Sequence, residues 1–390
     1  MMHGRLLFIS HRSDQRFTYG GPVYRKAIQA MLREIRPDLH QEEIFFERQS
    51  HWRRRAPAKA ISLLRSCFSP LPAKACHFYS ARFARQLKRM LAASTYSGVV
   101  ITGIDMLWCA DLLPDSCCRI YIANNVEHLL YAAQTEAIRR RPFIGRIVQQ
   151  DLEKLREYET AGMAKVDRII TISADDEHYF RSHHPGLSIA TILPTFSYPP
   201  ARTGSRNRRQ PGRPIHLSFL ANLEWWPNRA SITWFLEEIW RHLPEHAKKK
   251  LEVHLYGKGS EGFDDPARGV HGHGFVNDLA TVWQDADIMI QPITQGGGVN
   301  IKVAESIYNR LPILATPTAL RGLPLSDDPA IAVLPESRDW VAFLASDRPA
   351  RLAARIVDPE NPQLFDLDRN AEKLAALLES CLPAGARTRA

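Results

Sequence analysis

The chain has 390 residues, 45% of them hydrophobic and 24% charged, with a formal net charge of +9. That mixture excludes a disordered polymer, the lack of any run of ~20 apolar residues excludes a helical membrane span, and the length suits two domains at ~150 residues each. The basic excess fits an acidic partner: a nucleotide diphosphate, a nucleic acid or an anionic membrane surface.

The N-terminal apolar run Leu6 to Ile9 is closed off by Arg5 and His11, and it lacks the apolar core of a signal peptide. The expected location is cytoplasmic, soluble or peripheral on an inner membrane face. Cys67, Cys76, Cys109, Cys117, Cys118 and Cys381 form no C-x-x-C pair, and vicinal Cys117-Cys118 is poorly placed for a disulfide. The expectation is therefore a reducing compartment.

Leu6 to Ser10 reads as a buried strand, and Val23 to Glu34 as a helix behind Gly20-Gly-Pro22. Two glycines before a helix start either admit an anion or simply turn the chain. From Arg48 to Ile104 there is no acid, while basic residues from Arg48 to Arg89 interleave with Trp52, Leu63, Leu64, Phe68, Phe78, Tyr79 and Phe83. Such a stretch suits an anionic bilayer, an ordinary solvated face, or single-stranded nucleic acid; with no nucleic-acid module beside it, no nucleic-acid partner is expected.

Strands follow at Gly98 to Thr102 and Arg119 to Ala123, the second running into Asn124-Asn-Val-Glu-His128. Polar residues after a buried parallel strand are placed for a ligand, but Asn125 could equally cap the next helix. A long helix spans Phe143 to Lys165, a strand ends at Ser173 with Ser173 as N-cap of the next helix, and Ile189 to Leu193 is a further strand. Prolines and unopposed arginines from Pro194 to Pro214 mark a linker.

The pattern restarts with strands at His216 to Leu220, Leu251 to Tyr256, Val270 to His273 and Ile288 to Pro292, and a helix at Ala230 to Leu243. Gly257-Lys258-Gly259 lacks P-loop spacing. The expected domains are residues 1–195, a linker at 196–214, a second domain at 215–362, and a C-terminal helix and tail at 363–390 returning to the first. The expected fold class is α/β, two doubly wound Rossmann-like domains facing across a cleft.

Gln295-Gly-Gly-Gly-Val-Asn-Ile-Lys-Val-Ala-Glu-Ser306 is the most pointed stretch. Ile301, Ala304 and Ile307 share a helix face, and the glycines before them let an anion approach unpaired backbone N–H groups. Lys302 adds charge, and Glu305 can accept from sugar or ribose hydroxyls. A loop that only turns the chain would leave both side chains in solvent.

From Leu217 to Leu323 the ordered motifs resemble the GT-B fold retaining glycosyltransferases known as glycosyl transferases group 1, or family 4-like. They are Leu223 to Phe235, Gly272-His-Gly-Phe-Val276 with Asp285 to Pro292, and Gly296 to Glu305 with Leu311 to Thr316 and Arg321-Gly-Leu323. Gly20-Gly21, Asn124 to His128 and Ile172-Ser173 are weaker echoes.

The resemblance implies transfer of a hexose from a nucleotide diphosphate sugar to a glycan or lipid-linked acceptor in bacterial-type polysaccharide or glycolipid synthesis. It also implies no cofactor and no essential metal, and His271 and His273 lack companions in the sequence. Lys302 would neutralise the diphosphate with Arg229, Glu305 would hold the ribose, and Phe275 and Val276 would meet the base. Gly20, Gly21, Asn222, Gly257, Gly296, Gly297, Gly298, Val299 and Asn300 would complete the donor site, with Asn124 and His128 beside the reaction. Gly297 stands where many relatives carry a sugar-reading glutamate, and Asn124 where a histidine is usual. Those departures motivate the alternative, a non-catalytic GT-B protein binding a nucleotide sugar or a partner glycosyltransferase.

Overall fold

A computed structural model describes residues 4–11, 21–46, 57–196, 198–201, 212–295, 299–325 and 327–382. Gly20, Gly296, Gly297, Gly298, the start of the basic stretch and most of the proline-rich linker lie outside the described residues.

The chain forms two α/β units, one of residues 1–193 with 370–390, the other of residues 194–369. Each holds a six-stranded parallel sheet. In the first unit the strands are β1 (Arg5–His11), β2 (His40–Phe46), β3 (Gly98–Thr102), β4 (Cys118–Ala123), β5 (Arg168–Thr171) and β6 (Ser188–Thr191), in the order β2-β1-β3-β4-β5-β6. Runs such as Gly98-Val-Val-Ile-Thr102 are buried throughout because helices cover both faces of a parallel sheet. Leu7, Ile9, Val99, Ile101 and Tyr121 anchor one core cluster.

β2 is absent from the sequence reading because His40-Gln-Glu-Glu-Ile-Phe-Phe46 has too many polar residues for a central strand. Its place explains them: it lies at the sheet edge and pairs only with β1. Gly21 opens the helix Gly21–Ile35, and Ser173 caps the helix Ala174–His183 by accepting from Asp176 N at 3.1 Å.

The C-terminal segment is tied to this unit by side chains: Asn370 Oδ1 accepts from Leu193 N (3.0 Å), and Arg168 Nε donates to Leu377 O (3.0 Å). Cys118 and Cys381 form a disulfide with Cα atoms 5.6 Å apart across a separation of 263 residues. This corrects the reading of every cysteine as a reduced thiol, since a pair so distant leaves no spacing signature. Cys67, Cys76, Cys109 and Cys117 are free.

In the second unit β7 (Ile215–Leu220), β8 (Leu251–Tyr256), β9 (Val270–Gly272), β10 (Ile288–Gln291), β11 (Ile313–Ala315) and β12 (Ile331–Val333) run in the order β12-β11-β10-β7-β8-β9. Leu217, Phe219, Val253, Leu255 and Ile290 pack with Trp240 and Trp340. The helix after β7 starts at Trp226, earlier than expected, with Pro227 in its first turn, and ends through a π turn, Phe235–Ile239. No helix among the described residues is long and apolar enough to cross a membrane.

Candidate functional site

In the second sheet the chain leaves β7 toward β8 and β9 on one side, then returns to place β10 on the other. The loops at the carboxyl ends of β7 and β10 therefore diverge at a topological switch point, where open α/β sheets bind ligands. The loop after β10 enters the helix Ile301–Tyr308, and that after β7 enters Trp226–Trp234. Asn300 is the N-cap of the first of these and adds no side-chain cap; its amide donates instead to Ala319 O at 3.3 Å. Val299 is buried beside it.

Lys302 reaches across the switch point. Its ammonium donates to Asn228 Oδ1 and lies 5.2 Å from the centre of the Phe219 ring. Asn228 is itself buried and held by its Nδ2 on Asn222 O at 2.9 Å, while Asn222 Oδ1 accepts from Glu224 N at 3.0 Å. Among the described residues Lys302 makes no ion pair. Part of its side chain stays accessible, yet burial of the ammonium lowers its pKa to about 7. A desolvated cation supported by one amide oxygen and a ring face is suited to receive an anion.

Glu305 sits one turn further on and is 7% exposed. Burial pushes its carboxyl up to about 7, against the opposing effect of the hydrogen bond that Tyr198 Oη donates to Oε1 at 2.7 Å. Tyr198 also accepts from Asn309 Nδ2 (3.3 Å), and Asn309 Oδ1 accepts from Ala201 N (2.9 Å). Part of the proline-rich segment is thus packed polar structure behind the helix. Lys302 and Glu305 both lie within the unit's polar interior, so the reading that left them on a solvated face is set aside.

Neighbouring loops are fixed by backbone contacts. Gly257 has φ 111°, and a Cβ there would lie 2.1 Å from Ala221 O, so only glycine fits. Its N–H donates to Gly274 O at 2.7 Å, and Gly274 N donates to Ser260 Oγ at 2.8 Å. These bonds hold the loop carrying Phe275, whose side chain is 49% exposed, and half-buried Val276. Arg229 is exposed, with its guanidinium 5.0 Å from the centre of the Phe263 ring. The side chain that meets Lys302 from this helix is Asn228.

In the first unit Asn124 is half-buried, and its amide lies near Gly103. The next helix, Glu127–Arg139, has Val126 as N-cap, so Asn125 does not cap it. The carboxylate of Glu159 takes that role by accepting from Glu127 N (2.9 Å) and His128 N (3.2 Å). His128 is 7% exposed and has both ring nitrogens engaged, Nδ1 with Glu159 Oε2 at 2.6 Å and Nε2 with Tyr179 Oη at 3.3 Å. Its environment accounts for a packed, hydrogen-bonded histidine.

Sequence reasoning missed Asn228, Tyr198 and Asn309 as parts of the site. Asn228 stood inside a quoted motif, whereas Tyr198 sat among prolines with no signal of its partner.

Two parallel-sheet units, the second with Lys302 and Glu305 one turn apart at its switch point, are the two doubly wound α/β domains expected from the sequence. Residues 214–358 match the family described as Glycosyl transferases group 1. No curated protein matches the chain by sequence. Among solved structures, the chain is similar to sucrose-phosphate synthase from Thermosynechococcus elongatus (13% identity, 97% of this chain and 98% of that one, TM-score 0.64). It is also similar to HepE of Anabaena solved with UDP and glucose (11% identity, 97% and 100%, TM-score 0.60). A third similar structure is an S. aureus TarM mutant in complex with Fondaparinux, alpha-GlcNAc-glycerol and UDP (8% identity, 96% and 100%, TM-score 0.61). The chain has the GT-B fold of these structures, and the family match falls within its second unit.

Proposed function

We propose that the protein moves a hexose, with retention, from a nucleotide diphosphate sugar to a glycan or lipid-linked acceptor of bacterial-type polysaccharide or glycolipid synthesis. The observation that carries this is the half-buried Lys302 at the start of Ile301–Tyr308, its ammonium held by Asn228, with buried Glu305 one turn on. Lys302 and the helix N-terminus would meet the diphosphate, and Glu305 the ribose. Stabilising the departing diphosphate is the main electrostatic demand of such a transfer. Similar structures solved with UDP and sugars support the donor class.

The test is product formation from a panel of nucleotide sugars and lipid-linked acceptors, with the product anomer read by NMR. An α-linked product from an α-linked donor is expected; inversion would overturn the retaining assignment. Donor binding without transfer or hydrolysis would favour the non-catalytic alternative, to which the engaged nitrogens of His128 lend weight.

The basic stretch supplies the membrane contact in this reading. Its described part exposes Leu64, Phe68 and Tyr79, with Phe68 92% exposed, among basic side chains. Co-sedimentation with anionic liposomes is expected at low salt, to weaken at 1 M salt, where the Debye length is about 3 Å, and to weaken again in Phe68→Ser. Equal binding to neutral vesicles would refute it.

A further inference from the structure

The second sheet carries an unassigned group of imidazoles. Side chains alternate along a strand, so Glu252 and His254 share one face of β8. The register sets His216 of β7 opposite Glu252, and His271 of β9 opposite His254. His273, two residues beyond His271, joins them. The ring centre of His254 lies 4.0 Å from that of His216, 4.9 Å from His271 and 5.2 Å from His273. This corrects the sequence reading that His271 and His273 lack companions: the companions come from strands distant in sequence.

Three ligand atoms converge. Glu252 Oε2 lies 3.3 Å from His216 Nε2 and 3.4 Å from His254 Nε2, and the three residues each offer a ligand atom within 4.8 Å of those of the other two. Zinc bonds of about 2.0–2.1 Å in a tetrahedron place neighbouring ligand atoms about 3.3 Å apart, so both carboxylate–imidazole separations match a shared metal. The other nitrogen of His254, Nδ1, lies 2.9 Å from His273 Nε2, the outer hydrogen bond that orients a ligating histidine. The Glu252 side chain is 32% exposed, which leaves an entry path.

We infer that His216, Glu252 and His254 form a binding site for a divalent transition metal such as zinc, with His273 orienting His254 and water completing the coordination. The site lies on β7 and β8, apart from Lys302 and Glu305. Through His273 it touches the start of the loop that carries Phe275 and Val276.

The test is titration of metal-depleted, untagged protein with Co²⁺, followed by competition with Zn²⁺. One equivalent of Co²⁺ with d–d bands of tetrahedral intensity, displaced by Zn²⁺, is expected. Glu252→Gln and His216→Ala should each weaken binding at least tenfold, and His273→Ala by about 10- to 100-fold. These three variants carry the test if His254→Ala does not fold. Absence of stoichiometric uptake would overturn the inference. So would uptake unchanged in Glu252→Gln and His216→Ala, or uptake lost only in Cys381→Ser, which would place the ion at Cys118, Asp167 and Cys381 instead.

Discussion

Lys302→Met is expected to weaken nucleoside diphosphate binding by about 30-fold to about 5,000-fold without lowering the melting temperature. Removing one partner of a buried, hydrogen-bonded charge pair costs about 2–5 kcal/mol, which sets that range. The stability side follows from the shifted ammonium. Lys302 titrates near 7 in the folded protein, below the ordinary lysine value, so the folded state holds its proton less tightly than the unfolded chain. Its charge therefore opposes folding in full below pH 7, and that opposition fades as the pH rises from 7 toward the ordinary value.

The methionine variant should melt at the same temperature or higher than the parent, with the larger difference at pH 6 than at pH 9. Binding by the parent should weaken as the pH rises above 7, by up to about tenfold per unit, because Lys302 must take up a proton to meet the diphosphate. The variant should lack that dependence. Calorimetric titration with UDP, ADP and GDP across this pH range checks both halves, and equal affinity in parent and variant would refute the assignment.

Gly257→Ala is the second large effect. At φ 111° an L side chain is strained, and the added methyl would lie 2.1 Å from Ala221 O, a backbone atom with no rotamer to change. Strain of about 1–3 kcal/mol and overpacking of a further 1–3 kcal/mol are expected together. Because the same turn holds the Gly274 loop, nucleotide binding should fall with stability. Gly262→Ala is the control: a Cβ there meets nothing within 4 Å, and its midpoint in urea should match the parent. Similar midpoints for the two variants would contradict this account of the loop.

Much of the fold was legible because its central strands are short, fully buried apolar runs. Gly98 to Thr102 and Leu251 to Tyr256 were read with their observed limits. Edge strand β2 was not, since half-exposed strands keep charges that look like loop. At the site, Lys302 and Glu305 were legible from their place in a glycine loop and helix start. Asn228 and Tyr198 were not identified, because what makes them matter is contact across the switch point or from a proline-rich segment, and spacing carries neither. The histidines of β7, β8 and β9 failed for the same reason: His216, His254, His271 and His273 become one group only once strand register is known.

The most direct measurement of the central claim is a crystal structure of the protein with a nucleoside diphosphate bound. The expected result puts the diphosphate within hydrogen-bond reach of Lys302 Nζ and the backbone N–H groups that open Ile301–Tyr308, with the ribose hydroxyls on Glu305. A nucleotide bound elsewhere, with Lys302 still held only by Asn228, would contradict it.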